Sequence, residues 1–265
     1  MGEAGRYLRN LRQCHHYAWW FARAIALFRR PGSFLGHYMR RTSPAARTVV
    51  MRDGTRIVLS EHPHDIITLF VVLVREDYGR IDPGITVVDI GANIGAFALY
   101  AAKKGAGQVL AYEPNGASFR CLEQNVLGNR LKSVIQAKRL AVTGQAGRTV
   151  RFPAEASMYG RIAEAGRAGG LESVETTSLA RIVESDAPQG IDLLKIDCEG
   201  AEYDILLGAE AALAHVREIR MEYHDGRPRE LVELFRRCGF EITRQRADGS
   251  TFGDIWAHRG SPRAP

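Results

Sequence analysis

The sequence lacks paired cysteines and long hydrophobic runs. Its four cysteines (Cys14, Cys121, Cys198 and Cys238) are widely separated and form no C-x-x-C pair, which argues against a zinc site or a disulfide framework and favours reduced thiols in a cytoplasmic protein. The stretch YAWWFARAIALF at 17–28 is interrupted by Arg23 and is shorter than the roughly 20 apolar residues that a bilayer span needs. RRPGSF follows it instead of a small-residue cleavage site, so export is not predicted.

Acidic residues are nearly missing from the first fifty positions. Glu3 is the one acid there, against nine arginines: Arg6, Arg9, Arg12, Arg23, Arg29, Arg30, Arg40, Arg41 and Arg47. The formal net charge of +6 therefore comes largely from this segment, and the rest of the chain is close to neutral. A nucleic-acid-binding domain would carry its basic residues across a whole face, so no nucleic-acid partner is predicted.

The first part of the chain is predicted to be an extension over residues 1–45, followed by one catalytic domain over 46–265. Residues 1–30 have the pattern of a basic, aromatic, amphipathic helix. Such a helix either packs on its own domain or a second subunit, or docks on the anionic inner face of a membrane. The pattern favours packing, because apolar helix faces usually contact protein, but it leaves the peripheral membrane contact open.

The remaining chain is predicted to be an α/β protein with a Rossmann-like, mostly parallel sheet. TVVMRDGTRIVLS indicates a hairpin about Asp53-Gly54, and DIITLFVVLVRED is a helix or a buried strand. From Ile85 onward, apolar strands alternate with helices, which predicts a parallel sheet covered on both faces. EITRQRA and TFGDIWAHR form a closing hairpin that adds an antiparallel strand, and AEAGRAGG is predicted to be a loop.

The turn VVDIGANIGAF at 87–97 follows the first of these strands, where doubly wound sheets bind their ligands. A dinucleotide site has the pattern G-x-G-x-x-G, in which the second glycine lets the backbone approach the pyrophosphate. Aligned on Gly91, the second position is Asn93 and the last is Ala96. S-adenosylmethionine has no phosphate and does not need that glycine. Glu113 ends the next strand about 20 residues on, where a carboxylate accepts hydrogen bonds from ribose hydroxyls.

Four ordered motifs together resemble the FkbM family of S-adenosylmethionine-dependent methyltransferases: VVDIGANIGAFAL, VLAYEPNGASFRCLEQNV, IDLLKIDCEGAEYDILLGA and EIRMEYH. The resemblance covers about residues 85–240. It implies the class I methyltransferase fold, a seven-stranded sheet whose last strand is antiparallel. It also implies methylation of a hydroxyl oxygen on a sugar, a glycolipid or a secondary metabolite.

The resemblance also implies a cofactor site. Asp89, Gly91, Asn93 and Gly95 would line the methionine end, Glu113 would bind the ribose, and Pro114, Asn115 and the residues from Arg139 to Ala141 would border the adenine. Upstream, Glu76 and Tyr78 lie in the segment that often covers the cofactor in this fold. In place of the Asp that the family commonly carries before the fourth strand, this chain has TTSLARIV, and Ser178 is predicted to affect a helix cap.

Candidate catalytic residues end the fourth and fifth strands. In KIDCEG, strand alternation places Lys195, Asp197 and Glu199 on one side if the strand continues that far. Asp197 is predicted to orient the acceptor hydroxyl or the sulfonium end, and Lys195 to pair with these carboxylates. Glu199 is either catalytic or the cap of the following helix.

The motif MEYH places Glu222 and His224 two residues apart and on one face of the fifth strand. His224 is the candidate general base, because its ordinary pKa lies near neutrality. The alternative is a histidine that is merely hydrogen-bonded at a strand end. Asp197, Glu222 and His224 could also converge on a divalent metal such as Mg²⁺, although a metal is not favoured.

We therefore predict an S-adenosylmethionine-dependent O-methyltransferase that acts on a small-molecule or glycan acceptor. Two alternative functions remain compatible with the sequence. One is a nicotinamide-dependent oxidoreductase, which Asn93 disfavours, and the other is a non-catalytic, membrane-apposed module that keeps the fold. The loop from Pro153 to Leu171 and the N-terminal segment are expected to shape the acceptor pocket, and neither carries a motif that identifies the acceptor.

Overall fold

The computed structural model describes residues 16–153, 170–224, 226–247 and 251–260. Contacts group the chain into two compact units, Met1–Gly79 and Arg80–Pro265. The boundary predicted between residues 45 and 46 stays a prediction. Of the helix predicted over residues 1–30, residues 16–27 are helical, and the first fifteen residues lie outside the described part of the chain.

The first unit consists of short helices and one hairpin. Its elements are α1 (16–27), α2 (Pro31–Arg40), β1 (Thr48–Val50), β2 (Arg56–Val58) and α3 (Asp65–Leu69), which continues as a π-helix over Phe70–Arg75. The predicted hairpin is confirmed, since β1 and β2 pair antiparallel. The DIITLFVVLVRED segment is helical rather than a strand, and it buries Ile66, Leu69 and Phe70.

A seven-stranded sheet forms the centre of the second unit, in the order β11-β12-β10-β9-β3-β4-β5. Its strands are β3 (Thr86–Ile90), β4 (Gln108–Tyr112), β5 (Ile135–Lys138), β9 (Ile191–Ile196), β10 (Val216–Tyr223), β11 (Glu241–Ala247) and β12 (Gly253–His258). β12 is antiparallel to both of its neighbours, and the pairs from β10 to β5 are parallel. The predicted class I methyltransferase fold is thus confirmed.

Helices follow these strands as predicted, with one break. They are α4 (Ala96–Lys103), α5 (Gly116–Gly128), α6 (Leu179–Ser185), α7 (Glu202–Leu206), α8 (Glu210–Leu213) and α9 (Pro228–Arg237). The single helix predicted over EYDILLGAEAALAHV is divided into α7 and α8, because Gly208 between them has a left-handed φ of 93° that an α-helix does not accept. Ser178 caps α6 by accepting a hydrogen bond from Arg181 N, as its place in TTSLARIV predicts.

A small second sheet was not predicted from the sequence. β6 (Ala141–Val142), β8 (Leu171–Thr177) and β7 (Thr149–Pro153) pair in the order β6-β8-β7. Their apolar runs are short and interrupted by polar residues, so the alternation that marks a strand is weak. The segment between β7 and β8, including most of AEAGRAGG, lies outside the described residues, and the loop predicted there stays a prediction.

Candidate functional site

The strands β10, β9, β3 and β4 are neighbours in the sheet and run parallel. Their carboxyl ends therefore meet at one edge, which is where ligands bind in open α/β sheets. The residues at or just after these four strand ends include all five predicted catalytic residues and most of the predicted cofactor residues.

A buried ion pair supports this edge from within the sheet. Asp89 in β3 and Lys195 in β9 are register partners, and Asp89 Oδ1 lies 2.9 Å from Lys195 Nζ. The ammonium also donates to the carbonyl of Gly91 at 2.9 Å. Burial raises the pKa of Asp89, and Lys195 opposes that shift. Lys195 was predicted to pair with Asp197 and Glu199, and the structure adds Asp89 as its ion-pair partner.

Both glycines of the GANIG turn have a left-handed backbone conformation, and packing against backbone also requires a glycine at Gly91. Gly91 has a φ of 76°, and a Cβ there would lie 1.9 Å from the carbonyl oxygen of Asp197. Gly95 has a φ of 85°, and its Cβ would lie 2.5 Å from Leu122 Cδ1 in α5. The turn is therefore tight against β9 and α5, whether or not these glycines also line the methionine end of a cofactor, which stays a prediction.

Glu113 connects the glycine turn to the next loop. One carboxylate oxygen accepts from Asn93 N and the other from Asn115 N, both at 2.8 Å. Asn93 has a left-handed φ of 51°, which asparagine tolerates better than most residues. Burial raises the pKa of Glu113 to about 7, against the lowering effect of these two hydrogen bonds. Each oxygen keeps a second lone pair with which it can accept from a ligand hydroxyl.

The other predicted cofactor residues have structural positions of their own. Asn115 is buried and caps α5 through two 3.0 Å bonds, from Ala117 N and Ser118 N. Pro114 is half-buried beside it. Ala141 is buried with Phe152 and Val174 in the core of the small sheet.

Two further candidates, Glu76 and Tyr78, belong to the first unit. Glu76 forms a 2.8 Å ion pair with Arg23 of the same unit. Contact with a cofactor stays a prediction for Glu76 and Tyr78, and equally for the residues of the preceding paragraph: Pro114, Asn115 and Ala141.

The ends of β9 and β10 bring three candidate residues close together: Asp197 and Glu199 follow β9, and His224 follows β10. β9 ends at Ile196, so the strand does not continue to Glu199, and the condition for placing Lys195, Asp197 and Glu199 on one side by strand alternation is not met. Glu199 instead has a left-handed φ of 55°. One ligand atom from each of the three residues lies within 4.8 Å of the others.

Glu202 is a site residue that the sequence analysis did not identify. It is fully buried in the first turn of α7, and its Oε1 accepts from His224 Nδ1 at 2.9 Å. The same oxygen accepts from the backbone N–H groups of Cys198 and Gly200. The residue at the N-cap position of α7 is Ala201, and the two roles predicted for Glu199, catalysis or capping of this helix, stay predictions.

The imidazole of His224 has one nitrogen held and the other facing carboxylates. Nε2 lies 3.6 Å from Glu199 Oε2 and 3.7 Å from Glu222 Oε1. Burial lowers the pKa of His224, but the hydrogen bond and charge of Glu202, with Glu199 and Asp197, outweigh burial and raise it. Burial and the charge of Asp197 raise the pKa of Glu222. His224 thus tends to be protonated, which makes its neutral form a stronger base than an isolated imidazole.

This arrangement can bind a cation or remove a proton. The metal set suggested by the sequence contained Glu222, whereas the three atoms that converge most closely include Glu199 in its place. Carboxylate and imidazole ligands suit several divalent metals, and a bound metal stays a hypothesis. Because Nδ1 is held by Glu202, Nε2 is the nitrogen that can accept a proton from an acceptor group.

Comparison with known proteins finds that this chain is similar to methyltransferases. The family described as Methyltransferase FkbM domain matches residues 89–242. The chain is 32% identical over 198 residues to 31-O-demethyl-FK506 methyltransferase FkbM of Streptomyces tacrolimicus, covering 62% of this chain and 75% of that protein. It is 28% identical over 163 residues to hexuronic acid methyltransferase AglP of Haloferax volcanii, covering 60% of this chain and 66% of that protein.

A much longer protein also matches. The chain is 30% identical over 222 residues to AMB antimetabolite synthetase AmbE of Pseudomonas aeruginosa, covering 65% of this chain. The chain spans only about a tenth of that relative, since the match covers 10% of its length.

Proposed function

Since the chain belongs to the FkbM family of S-adenosylmethionine-dependent methyltransferases, we propose that it methylates a hydroxyl oxygen of a sugar, a glycolipid or a secondary metabolite. The observation that carries this proposal is the convergence of Asp197, Glu199, Glu202 and His224 beside the glycine turn. A histidine whose far nitrogen is held by a buried carboxylate is suited to take a proton from a hydroxyl.

The charges at the strand ends support the methyl donor over a dinucleotide. Asp197 and Glu199 are carboxylates at this edge, and the Lys195 ammonium faces Asp89. A pyrophosphate would bring two negative charges toward them, which costs binding free energy. A ligand with a sulfonium, an ammonium and a ribose brings positive charge and hydroxyl donors instead. The residues therefore fit S-adenosylmethionine, and they disfavour the nicotinamide-dependent rival.

When bound, S-adenosylmethionine supplies an electrophilic methyl group to the attacking oxygen. Asp197, which follows β9 next to the glycine turn, would orient the acceptor hydroxyl. His224 Nε2 would accept the proton of the acceptor hydroxyl when the methyl group is transferred to its oxygen. Glu202 keeps Nδ1 protonated and stabilises the imidazolium that results. Glu199 and Asp197 add negative charge that favours this imidazolium.

The names of two relatives support a hydroxylated acceptor. One is a methyltransferase for 31-O-demethyl-FK506 and the other is a hexuronic acid methyltransferase. Both acceptors named are oxygen-rich small molecules or sugars, which is the acceptor class that the proposal assigns to this chain.

Two measurements test the proposal. Isothermal titration with S-adenosylhomocysteine should show binding that Glu113→Ala weakens strongly. Methyl transfer from labelled donor to a panel of sugars, glycolipids and polyketide alcohols should give an alkali-stable ether product, and His224→Gln should reduce the rate about 10²–10⁴-fold. Absence of binding would overturn the cofactor assignment, and NADH binding in its place would support the oxidoreductase. Binding without transfer to any acceptor would favour the non-catalytic module.

A further inference from the structure

One side of α1 is apolar and exposed. Ala18, Trp19, Ala22, Ile25 and Ala26 recur at helical spacing and form what we call the α1 face. All five residues are exposed, with Trp19 at 61% and Ile25 at 52%. No charged residue lies among these five positions. A tryptophan and an isoleucine exposed together on one helix face are unusual for a surface that contacts only water.

The opposite side of α1 packs against the rest of the first unit, which leaves the α1 face exposed to solvent. Ala24 is fully buried, and the Trp20 ring packs edge-on against Phe70. Arg23 forms its ion pair with Glu76 and donates to the carbonyl of Leu73. These residues lie opposite the α1 face on the helix, so they fix its rotation within the first unit. The α1 face is therefore a stable feature of that unit.

The chain segment that carries the α1 face has charged side chains of one sign. No aspartate or glutamate occurs from Ala4 to Arg52. Arg29 and Arg30 follow α1 directly and are exposed, as are Arg40 and Arg41 at the end of α2. An exposed tryptophan in a chain segment rich in arginines is the composition of helices that lie in the headgroup region of anionic bilayers.

We propose that the α1 face, with Arg29, Arg30, Arg40 and Arg41, binds the surface of an anionic lipid membrane. A second copy of this chain would bring the same arginines together, which like-charge repulsion disfavours. The segment 1–15 of the same chain is equally basic, with Arg6, Arg9 and Arg12 and Glu3 alone against them. An anionic lipid surface provides both an apolar layer for Trp19 and Ile25 and negative charge for the arginines.

This contact lies on the membrane surface and does not cross it. Within the described residues, no helix is long and apolar enough to span a bilayer. Residues 16–27 extend about 18 Å at 1.5 Å per residue, against a hydrocarbon thickness of about 30 Å. The binding is therefore expected to be reversible and sensitive to salt, because the arginine contribution is screened by ions.

Vesicle co-sedimentation of the full chain tests the proposal. Phosphatidylcholine vesicles containing phosphatidylglycerol should bind the protein, and phosphatidylcholine alone should bind it far less. Trp19→Ser with Ile25→Ser should abolish the binding, and Arg29→Gln with Arg30→Gln should weaken it about 30-fold, since each arginine near the surface contributes about 1 kcal/mol. Leu127→Ser with Leu207→Ser is the matched control, because both leucines are exposed at 59% and 41% in the second unit.

Circular dichroism and S-adenosylhomocysteine binding verify that each variant is folded. Equal binding to neutral vesicles, or no loss in the Trp19/Ile25 variant, would overturn the proposal. Sedimentation velocity measures the oligomeric state of the protein. A dimer in the wild type that is lost in the Trp19/Ile25 variant would overturn the proposal and assign the α1 face to a second copy of the chain.

Discussion

Asp89 and Lys195 lie directly opposite each other on adjacent parallel strands, with Asp89 Oδ1 2.9 Å from Lys195 Nζ, and both side chains are almost completely buried. The two residues are 106 positions apart in the chain, and their pairing holds β3 and β9 in register beneath the candidate site. A charge buried in this way is tolerated because its partner is buried with it.

We predict that Lys195→Met destabilises the protein by about 3–5 kcal/mol, because it leaves the carboxylate of Asp89 buried without its counter-ion. Urea unfolding measures the change. Asp89→Leu combined with Lys195→Met should recover much of the loss, since no charge is then left buried. Arg181→Met, which breaks the exposed pair with Glu184, is the control and should cost less than about 1 kcal/mol. Equal costs for the two single variants would contradict the role of the buried pair.

Glu202→Gln should shift the pH dependence of methyl transfer. His224 must lose its proton to act as a base, so kcat/KM should rise with pH through its raised pKa. The glutamine removes the negative charge that stabilises the imidazolium, so the pKa of His224 should fall by about 1 unit or more and the rising limb should move to lower pH. A pH–rate profile of the variant beside wild type measures this. An unchanged profile together with reduced stability would mean that Glu202 only supports the loop at Cys198 and Gly200.

Glu113 should couple cofactor binding to proton release. Burial raises the pKa of Glu113 to about 7, so at pH 6 the ligand-free protein holds it mostly protonated. Ribose hydroxyls donate to the ionised form and favour it, so binding should release a proton at pH 6 and affinity should rise with pH up to about 7. Titration of S-adenosylhomocysteine in two buffers of different ionisation enthalpy measures the release.

In Glu113→Gln this proton release should disappear, and the affinity should fall by about 1.5–3 kcal/mol, as expected for lost hydrogen bonds to a charged group. Proton release that persists in the variant would assign the titration to another group.

Gly91→Ala should destabilise the protein more than Gly84→Ala. Both glycines have a left-handed φ, of 76° and 80°, so both alanines carry a similar backbone strain of about 1–2 kcal/mol. At Gly84 a Cβ meets nothing within 4 Å, whereas at Gly91 it would lie 1.9 Å from Asp197 O. The difference, about 1–3 kcal/mol from overpacking, is measured by urea unfolding of the two variants. Equal losses would show that the GANIG turn can move away from β9.

Much of the fold could be predicted because its strands are continuous apolar runs separated by turns and helices. β3, β4, β9 and β10 are of this kind, and the FkbM-like motifs supplied their order. The small sheet β6-β8-β7 could not be predicted in the same way, since its strands are short and half-polar. The break between α7 and α8 depends on the left-handed φ of Gly208. The helical pattern of the sequence does not show that φ.

The candidate site was predicted in part. His224 and Asp197 were identified because each ends a strand of a parallel sheet. Glu202 was missed because its role depends on a contact with His224, which is 22 residues away, and no local pattern encodes that distance. The exposure of the α1 face is likewise a tertiary property, since an amphipathic pattern does not tell which of its sides packs inward.

The sequence by itself determined the family, the alternating α/β architecture and the choice of methyl donor over dinucleotide, because these follow from local patterns: apolar runs, the Asn93 turn and Glu113 after the next strand. Only the tertiary structure shows which charged side chains form pairs and why position 91 requires a glycine. Lys195 pairs with Asp89, Glu202 holds His224, and Gly91 makes room for the carbonyl of Asp197. These relationships join segments far apart in the chain, and strand register and packing, rather than spacing along the sequence, bring them within a few ångströms.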